Sequence, residues 1–236
     1  HILSVLMKLV RCQVYVEIGS YCGATMILAQ NATADLKVAV SIDMLQPGTR
    51  GVSPQDQLTS NLGSSKFNPH GARIYQVAGN SRETPLINTV SRQLLAPGSV
   101  DLLFIDGDHF NPAPDFHNFQ NLVRPGGLVV WDDYGNHRTV KGVVNKIARD
   151  SAHCWNILGS ISNVALANVL SHKGTKGAAH RSNEFIMQRK WNCGPKTSLS
   201  GPIQSQLPAR TVPTAGVLVG DVGNKATSLP CHQLDR

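Results

Sequence analysis

The chain has 236 residues, enough to bury one sizeable α/β core, and a formal net charge of +7. Lys and Arg exceed Asp and Glu by 1 in residues 1–150 and by 6 in residues 151–236, and no basic, aromatic-interleaved surface is evident, so no nucleic-acid partner is expected. Five cysteines, an odd number without CxxC spacing, argue against a disulfide framework or a zinc site. With no signal peptide visible, we expect a cytoplasmic protein without a membrane partner.

Residues 2–10 carry apolar side chains at helical spacing, which predicts a short helix packed against a sheet. A segment of about this length cannot cross a bilayer. The apolar stripe consists of Ile2, Val5, Leu6, Leu9 and Val10.

A strand followed by a glycine turn forms the next unit. Residues 14–18 (VYVEI) predict a buried strand, and the following GSYCG leads into a helix, an arrangement typical of nucleotide-type ligand sites. The spacing ExGxxxG lacks the middle glycine that admits a pyrophosphate, so it suits a ligand with a ribose but no phosphate. Residues 38–42 predict the next strand, which ends at Asp43, an acid placed to accept hydrogen bonds from ribose hydroxyls.

A long connection joins Asp43 to the next predicted strand, residues 72–78. Ser53, Pro54 and Asp56 predict the start of a helix within it. A lid over the ligand edge of the sheet and a plain surface helix are equally consistent with this segment.

Two apolar runs, residues 100–105 and 128–131, predict neighbouring parallel strands joined by a crossover helix and a turn at Pro125-Gly126-Gly127. Each run ends in a pair of acids, and the carboxyl ends of parallel strands meet at one edge of a sheet. Crowded carboxylates repel one another unless they share a cation, and Mg²⁺ suits a site of oxygen ligands. The acids are Asp106, Asp108, Asp132 and Asp133.

The remainder of the chain predicts a helix at residues 140–148 and strands at 155–158 with 164–167 and at 184–188. From residue 192 the chain is rich in Pro, Gly, Ser and Thr without a sustained period, which predicts a disordered tail over residues 192–236. The catalytic domain is accordingly assigned to residues 1–191.

The motifs EIGSYCG, FIDGDH and PGGLVVWDDY, together with Asp43, resemble class I S-adenosylmethionine-dependent methyltransferases. More narrowly, they are similar to the metal-dependent group that includes macrocin O-methyltransferase, over residues 14–144. This resemblance implies a Rossmann-like, doubly wound, mostly parallel seven-stranded sheet with helices on both faces and a closing antiparallel hairpin. Relatives usually carry further helices before the first strand, so we expect a truncated N-terminus.

The resemblance also implies a role for individual residues. The methionine and ribose part of the cofactor site is assigned to Glu17, Gly19, Ser20, Gly23 and Asp43, and its adenine end to Gly79, Asn80 and Ser81. The resemblance implies a metal site for Mg²⁺ formed by Asp106, Asp132 and Asp133. Asp108 is the implied catalytic base; His109 is a second candidate, with a loop imidazole or a partner of a carboxylate as its alternative role, and His137 is a weaker candidate.

The expected activity is methyl transfer to a hydroxyl of a small molecule or sugar, whose identity the sequence does not give. One alternative is a nucleotide-sugar glycosyltransferase, since Asp106-Gly107-Asp108 also fits a DxD motif that holds a metal on a diphosphate. A second alternative is a non-catalytic remnant that keeps the methyltransferase fold.

Overall fold

The computed structural model describes residues 2–44, 62, 67–162 and 183–193. Within them lies a seven-stranded sheet of order β3-β2-β1-β4-β5-β7-β6. Strands β1 to β5 are parallel, and β7 is antiparallel to both β5 and β6, which confirms the predicted topology and closing hairpin. The strands are β1 (Val14–Ile18), β2 (Val38–Asp43), β3 (Arg73–Ala78), β4 (Val100–Ile105), β5 (Val123–Trp131), β6 (Trp155–Ser162) and β7 (Asn183–Arg189).

Helices cover both faces of the sheet, as expected for a doubly wound fold. Alternate residues of β1 point to opposite faces: Tyr15 packs with helices α1 and α2, whereas Val16 packs with α4 and α5. No helix of the described residues is long and apolar enough to cross a membrane. The helices are α1 (Ile2–Leu9), α2 (Ala24–Ala32), α3 (Thr84–Asn88) with a π-helical turn (Thr89–Leu94), α4 (Ala113–Phe119) with a 3-10 turn (Gln120–Leu122), and α5 (Arg138–Asp150).

The buried face of α1 differs from the predicted stripe. Leu3, Leu6 and Met7 are buried, whereas Val5 and Leu9 are 59% and 74% exposed. Both sets have helical spacing, and the sequence gives no local reason to prefer one over the other. The predicted helix is confirmed, but the predicted stripe is wrong in part.

The turn predicted at Pro125-Gly126-Gly127 is instead part of β5. Val100 pairs with Val123 and Leu102 with Leu128, so residues 124–127 lie opposite a single residue of β4. The extra residues form an irregularity in the ladder, and Gly126 takes the positive φ of +78° that it needs.

One disulfide contradicts the expectation drawn from the cysteine count. Cys154, just before β6, is bonded to Cys193, just after β7. The pair spans the closing hairpin, and its 39-residue separation hides it from a search for short cysteine motifs. The helix predicted from Ser53, the strand segment at 164–167 and residues 194–236 of the predicted tail lie outside the described residues; the division of the chain at residue 191 stays a prediction.

Candidate active site

The turn after β1 lies directly against the end of β4. Gly19 has φ +88°, and a Cβ built on it would lie 2.0 Å from the backbone oxygen of Asp106. The Gly19 N–H donates to the Ile42 carbonyl at 2.8 Å, and the Asp106 N–H donates to the Ile18 carbonyl at 2.8 Å. The predicted cofactor turn and the predicted acidic edge are therefore parts of one site.

The same turn is tied to the acid that ends β2. The Tyr21 N–H donates to Asp43 Oδ2 at 2.7 Å, and the Gly23 N–H donates to the Ser20 carbonyl at 2.7 Å. Tyr21 and Gly23 both have positive φ, +46° and +83°, so the backbone turns sharply before α2 begins. The structure thus brings Asp43 to the glycine turn, as the sequence predicts.

Glu17, near the end of β1, is a buried acid only 1% exposed. It accepts a hydrogen bond from the Tyr15 hydroxyl at 2.7 Å. Burial raises the pKa of Glu17 to about 8, and the charge of Asp106 acts in the same direction. A cationic group close to Glu17 would therefore favour the ionised form of Glu17 and be stabilised by it.

The loop after β3 is anchored to the elements around it. The Ser81 hydroxyl donates to Asp115 Oδ1 at 2.5 Å, and Asn118 Nδ2 donates to the Ser81 carbonyl at 3.1 Å. The Asn80 side chain accepts the Arg82 N–H at 3.0 Å. Both predicted adenine-end side chains are engaged within the protein, so this loop has a fixed shape.

Asp108 lies beside Arg82 rather than inside the group of acids. Arg82 forms an ion pair with Asp108 Oδ2, and the N–H groups of Phe110 and Asn111 donate to Oδ1 at 2.8 and 3.2 Å. Partial burial alone would raise the pKa of Asp108, but these donors and Arg82 bring it below its usual range. Asp108 is therefore held as a carboxylate.

Four residues, which we name the His–Asp cluster, converge at the ends of β4 and β5: Asp106, His109, Asp133 and His137. His109 Nε2 lies 3.3 Å from Asp106 Oδ1 and 3.0 Å from Asp133 Oδ2, and His137 Nε2 lies 3.6 Å from the same Asp133 oxygen. The two imidazoles stack with centroids 4.6 Å apart. The carboxylates raise the pKa of His109 to about 10 through hydrogen bonds, with Asp106 contributing most.

Asp132 and Glu184 add further negative charge behind this cluster. Asp132 Oδ1 accepts the Asp133 N–H at 2.8 Å. Burial, followed by the charge of Asp106, raises the pKa of Asp132 to about 7, and Glu184 adds to the effect. The pKa of Asp106 is itself raised, chiefly by burial. The predicted acids Asp106, Asp132 and Asp133 are thus brought together, whereas Asp108 stands apart with Arg82.

Two residues of this edge were absent from the sequence prediction. Glu184 is 1% exposed and lies near the start of β7, which reaches the carboxyl edge because β7 is antiparallel to β5. An antiparallel last strand begins at the edge where β5 ends, so an acid at its start could have been predicted to lie near Asp132 and Asp133. Arg82 directly follows the predicted Asn80-Ser81 segment, but its pairing with Asp108 depends on the tertiary fold.

Sequence comparison identifies the family. The family described as "Methyltransferase domain" matches residues 16–134, about half of the chain. The uncharacterized protein R132 of Acanthamoeba polyphaga mimivirus is 31% identical over 189 residues, which cover 74% of this chain and 78% of that protein. These matches give no support to the glycosyltransferase alternative.

Solved structures show the same fold at low identity. The O-methyltransferase TomG from Streptomyces achromogenes, involved in tomaymycin synthesis and solved with SAM, is 20% identical with a TM-score of 0.57, covering 80% of this chain and 78% of that one. An O-methyltransferase from Bacillus cereus, solved with SAH, is 18% identical with a TM-score of 0.55, covering 80% and 79%. With the strand order and the glycine turn described above, the chain belongs to the methyltransferase-domain family, within the class I S-adenosylmethionine-dependent methyltransferases.

Proposed function

We propose that this protein transfers the methyl group of S-adenosylmethionine to a hydroxyl of a small molecule or sugar, assisted by a divalent cation. The observation that carries the proposal is the contact between Gly19 and the Asp106 backbone, which joins the cofactor turn to the acidic edge. A methyl donor bound at the turn would lie next to an acceptor held at the acids, as an in-line displacement requires.

The residues present fit the cofactor. Asp43 is fixed by the Tyr21 N–H at the turn, where a carboxylate can accept hydrogen bonds from ribose hydroxyls. Glu17, with a pKa raised to about 8, would be ionised more readily beside a positively charged ligand. The engaged side chains of Asn80 and Ser81 shape the adenine end of the site. Backbone and side-chain contacts to the ligand are assigned to Glu17, Gly19, Ser20, Gly23, Asp43, Asn80 and Ser81.

The acidic edge fits a cation. Asp106, Asp132 and Asp133 are close enough for burial and mutual repulsion to raise the pKa values of Asp106 and Asp132. A divalent ion such as Mg²⁺ held by these three residues would relieve that repulsion. When bound, such an ion would lower the pKa of an acceptor hydroxyl and orient its oxygen.

The proton released by the acceptor needs a base, and the contacts favour Asp108. Asp108, two residues after Asp106, is held as a carboxylate by Arg82, with 34% of its side chain exposed. His109 is shared between Asp106 and Asp133, and with a pKa of about 10 it carries its proton in this arrangement. We therefore assign proton acceptance to Asp108, with Arg82 as the residue that positions it, and keep His109 as the alternative. Asp108→Asn should abolish turnover and leave cofactor binding intact.

Calorimetric titration of S-adenosylmethionine, with and without Mg²⁺, tests the proposal first. Asp43→Ala should weaken binding, whereas Asp35→Ala should not, because it removes a half-buried acid whose ion-pair distance to Arg11 is 3.6 Å. Absence of binding by the folded wild-type protein would refute the cofactor assignment. Binding without S-adenosylhomocysteine formation across a broad screen of hydroxyl acceptors would instead favour the non-catalytic alternative.

The cytoplasmic location expected from the sequence stays a prediction. Disulfides are rare in that compartment, so the Cys154–Cys193 bond is the feature that bears on it most directly.

A further inference from the structure

We propose that the divalent cation of the proposed function is a borderline transition cation such as Zn²⁺ or Fe²⁺, bound by His109, Asp133 and His137. Because Asp133 is common to both sets of ligands, this assignment replaces Mg²⁺ on the three aspartates. The role of this ion in methyl transfer rests on the proposed function. Whether the ion binds does not depend on that function. Imidazole nitrogen suits Zn²⁺ and Fe²⁺, whereas Mg²⁺ prefers carboxylates, carbonyls and water.

The distances among the three side chains suit a metal ion. Their ligand atoms all lie within 4.8 Å of one another. Ligands bound at about 2.1 Å in tetrahedral geometry lie about 3.4 Å apart. The two Nε2 atoms are 3.0 and 3.6 Å from Asp133 Oδ2, so small side-chain shifts would complete the arrangement.

The turn between β5 and α5 holds Asp133 in the required orientation. Asn136 Nδ2 donates to Asp133 Oδ1 at 3.0 Å, which leaves Oδ2 facing the two histidines. The N–H groups of Asn136 and His137 donate to the Asp133 carbonyl at 3.1 and 2.9 Å, so His137 is held at a fixed place relative to Asp133. Hydrogen bonds that orient a ligating side chain in this way are the usual support of a metal site.

The site is also open to solvent on one side. The side chains of His109, Asp133 and His137 are 36%, 21% and 50% exposed. Three protein ligands with an open position are typical of catalytic rather than structural zinc sites. The open position is where an acceptor oxygen could bind. Asp106 Oδ1 lies 3.3 Å from His109 Nε2, one of the three proposed ligand atoms.

The arrangement without a metal is an imidazolium of His109 held between Asp106 and Asp133. In that arrangement His137 binds no ion, so its removal would not change the affinity for a metal ion. His137→Ala therefore separates the two arrangements, and it replaces an exposed side chain, so folding should not suffer.

The test uses the full chain, purified without a polyhistidine tag and stripped with a chelator. Binding of Co²⁺ is followed by its visible absorption, and binding of Zn²⁺ and Mg²⁺ by calorimetry. The wild type should bind one Co²⁺ or Zn²⁺ in preference to Mg²⁺. His137→Ala and His109→Ala should each weaken that binding by more than the roughly 10-fold to 100-fold that loss of an outer partner costs.

His117→Ala is the matched control, since His117 is an exposed histidine on α4 that is not among these three ligands, and it should bind Co²⁺ like the wild type. Equal Co²⁺ affinity in His137→Ala and the wild type would overturn the assignment, as would preference for Mg²⁺. Circular dichroism confirms that each variant is folded. S-adenosylmethionine binding is measured separately. Binding of Co²⁺ without binding of S-adenosylmethionine would refute the proposed function alone, and binding of S-adenosylmethionine without binding of Co²⁺ would refute this metal site alone.

Discussion

The two ends of β4 each carry an aspartate, and their surroundings differ. Asp101, at the start, accepts the N–H groups of Gln13 and Val14 at 2.8 Å each and the Arg124 Nε–H at 2.5 Å. Asp106 follows the end of the strand, where its Oδ1 lies 3.3 Å from His109 Nε2 and its backbone contacts Gly19. At the amino edge the negative charge is compensated inside the chain, whereas at the carboxyl edge acids crowd one another.

This difference separates a structural acid from a functional one. Asp101, in β4, is linked to β1 through the Val14 N–H and to β5 through Arg124, which also donates to the Val10 carbonyl at 3.2 Å. Burial chiefly raises the pKa values of Asp106 and Asp132, so ionisation of these two acids opposes folding at neutral pH. Strongly perturbed acids grouped at the ligand edge of a sheet are typical of a functional site.

Gly19→Ala should have the largest effect, since it breaks the contact that joins the two halves of the carboxyl edge. The new Cβ would meet the Asp106 backbone at 2.0 Å, and we expect a loss of about 4 kcal/mol or more in the free energy of unfolding. Gly98→Ala is the control: it has a similar φ of +71° but nothing within 4 Å, so it should cost only about 1 kcal/mol. Urea denaturation measures both, and equal losses would contradict the steric argument.

The second prediction compares the two aspartates directly. Asp101→Ala leaves Arg124 and two backbone N–H groups without their acceptor and should cost about 3–5 kcal/mol. Asp106→Asn, measured in the presence of a chelator, removes one of the crowded charges but also weakens the pairing with His109. Because these two effects oppose each other, the free energy of unfolding should change by less than about 1 kcal/mol. A large destabilisation by Asp106→Asn would show that the carboxyl edge is as structural as the amino edge.

Features that depend on local sequence could be predicted, whereas features that depend on tertiary packing could not. Strands β1, β2 and β4 were predicted because their apolar runs are local, and the convergence of Asp106 with Asp132 and Asp133 follows from the direction of parallel strands. Local pattern does not fix which face of α1 is buried, nor that Pro125-Gly126-Gly127 continues β5. Those outcomes depend on what packs opposite.

The details of the candidate site depended on tertiary contacts in the same way. The sequence placed Asp108 among the acids, and only the fold pairs it with Arg82, 26 residues away. Glu184 reaches the site because the last strand reverses direction. The stacking of His109 on His137 depends on where α5 begins, a boundary that sequence patterns locate to within only a few residues.

The Cys154–Cys193 bond provides the third prediction, at the end of the hairpin distant from the acids. Closing a loop of 39 residues should stabilise the fold by about 4 kcal/mol, because it restricts the unfolded chain. Cys193→Ser should lose that amount in urea denaturation without reductant. Added reductant should lower the wild type to the level of the variant and leave the variant unchanged; a further loss in the variant would point to another thiol.

Glu17 gives the last prediction, because its side chain lies in a residue only 1% exposed and burial raises its pKa. Its pKa is raised from 4.5 to about 8, so between these values the folded state binds more protons than the unfolded state. Stability should therefore fall as pH rises, by about 2 kcal/mol between about pH 6 and about pH 8 from this group.

Glu17→Gln isolates this contribution, since the amide oxygen can still accept the Tyr15 hydroxyl while the titrating proton is removed. Urea denaturation at the two pH values should give a smaller fall for the variant than for the wild type, with other titrating groups such as Asp132 common to both. An equal fall in the free energy of unfolding for variant and wild type would mean that Glu17 ionises at its ordinary pKa. The negative charge of this buried acid would then be compensated within the protein. Addition of S-adenosylmethionine should reduce the difference between wild type and variant, because a positively charged ligand favours the ionised form of Glu17 in the folded state.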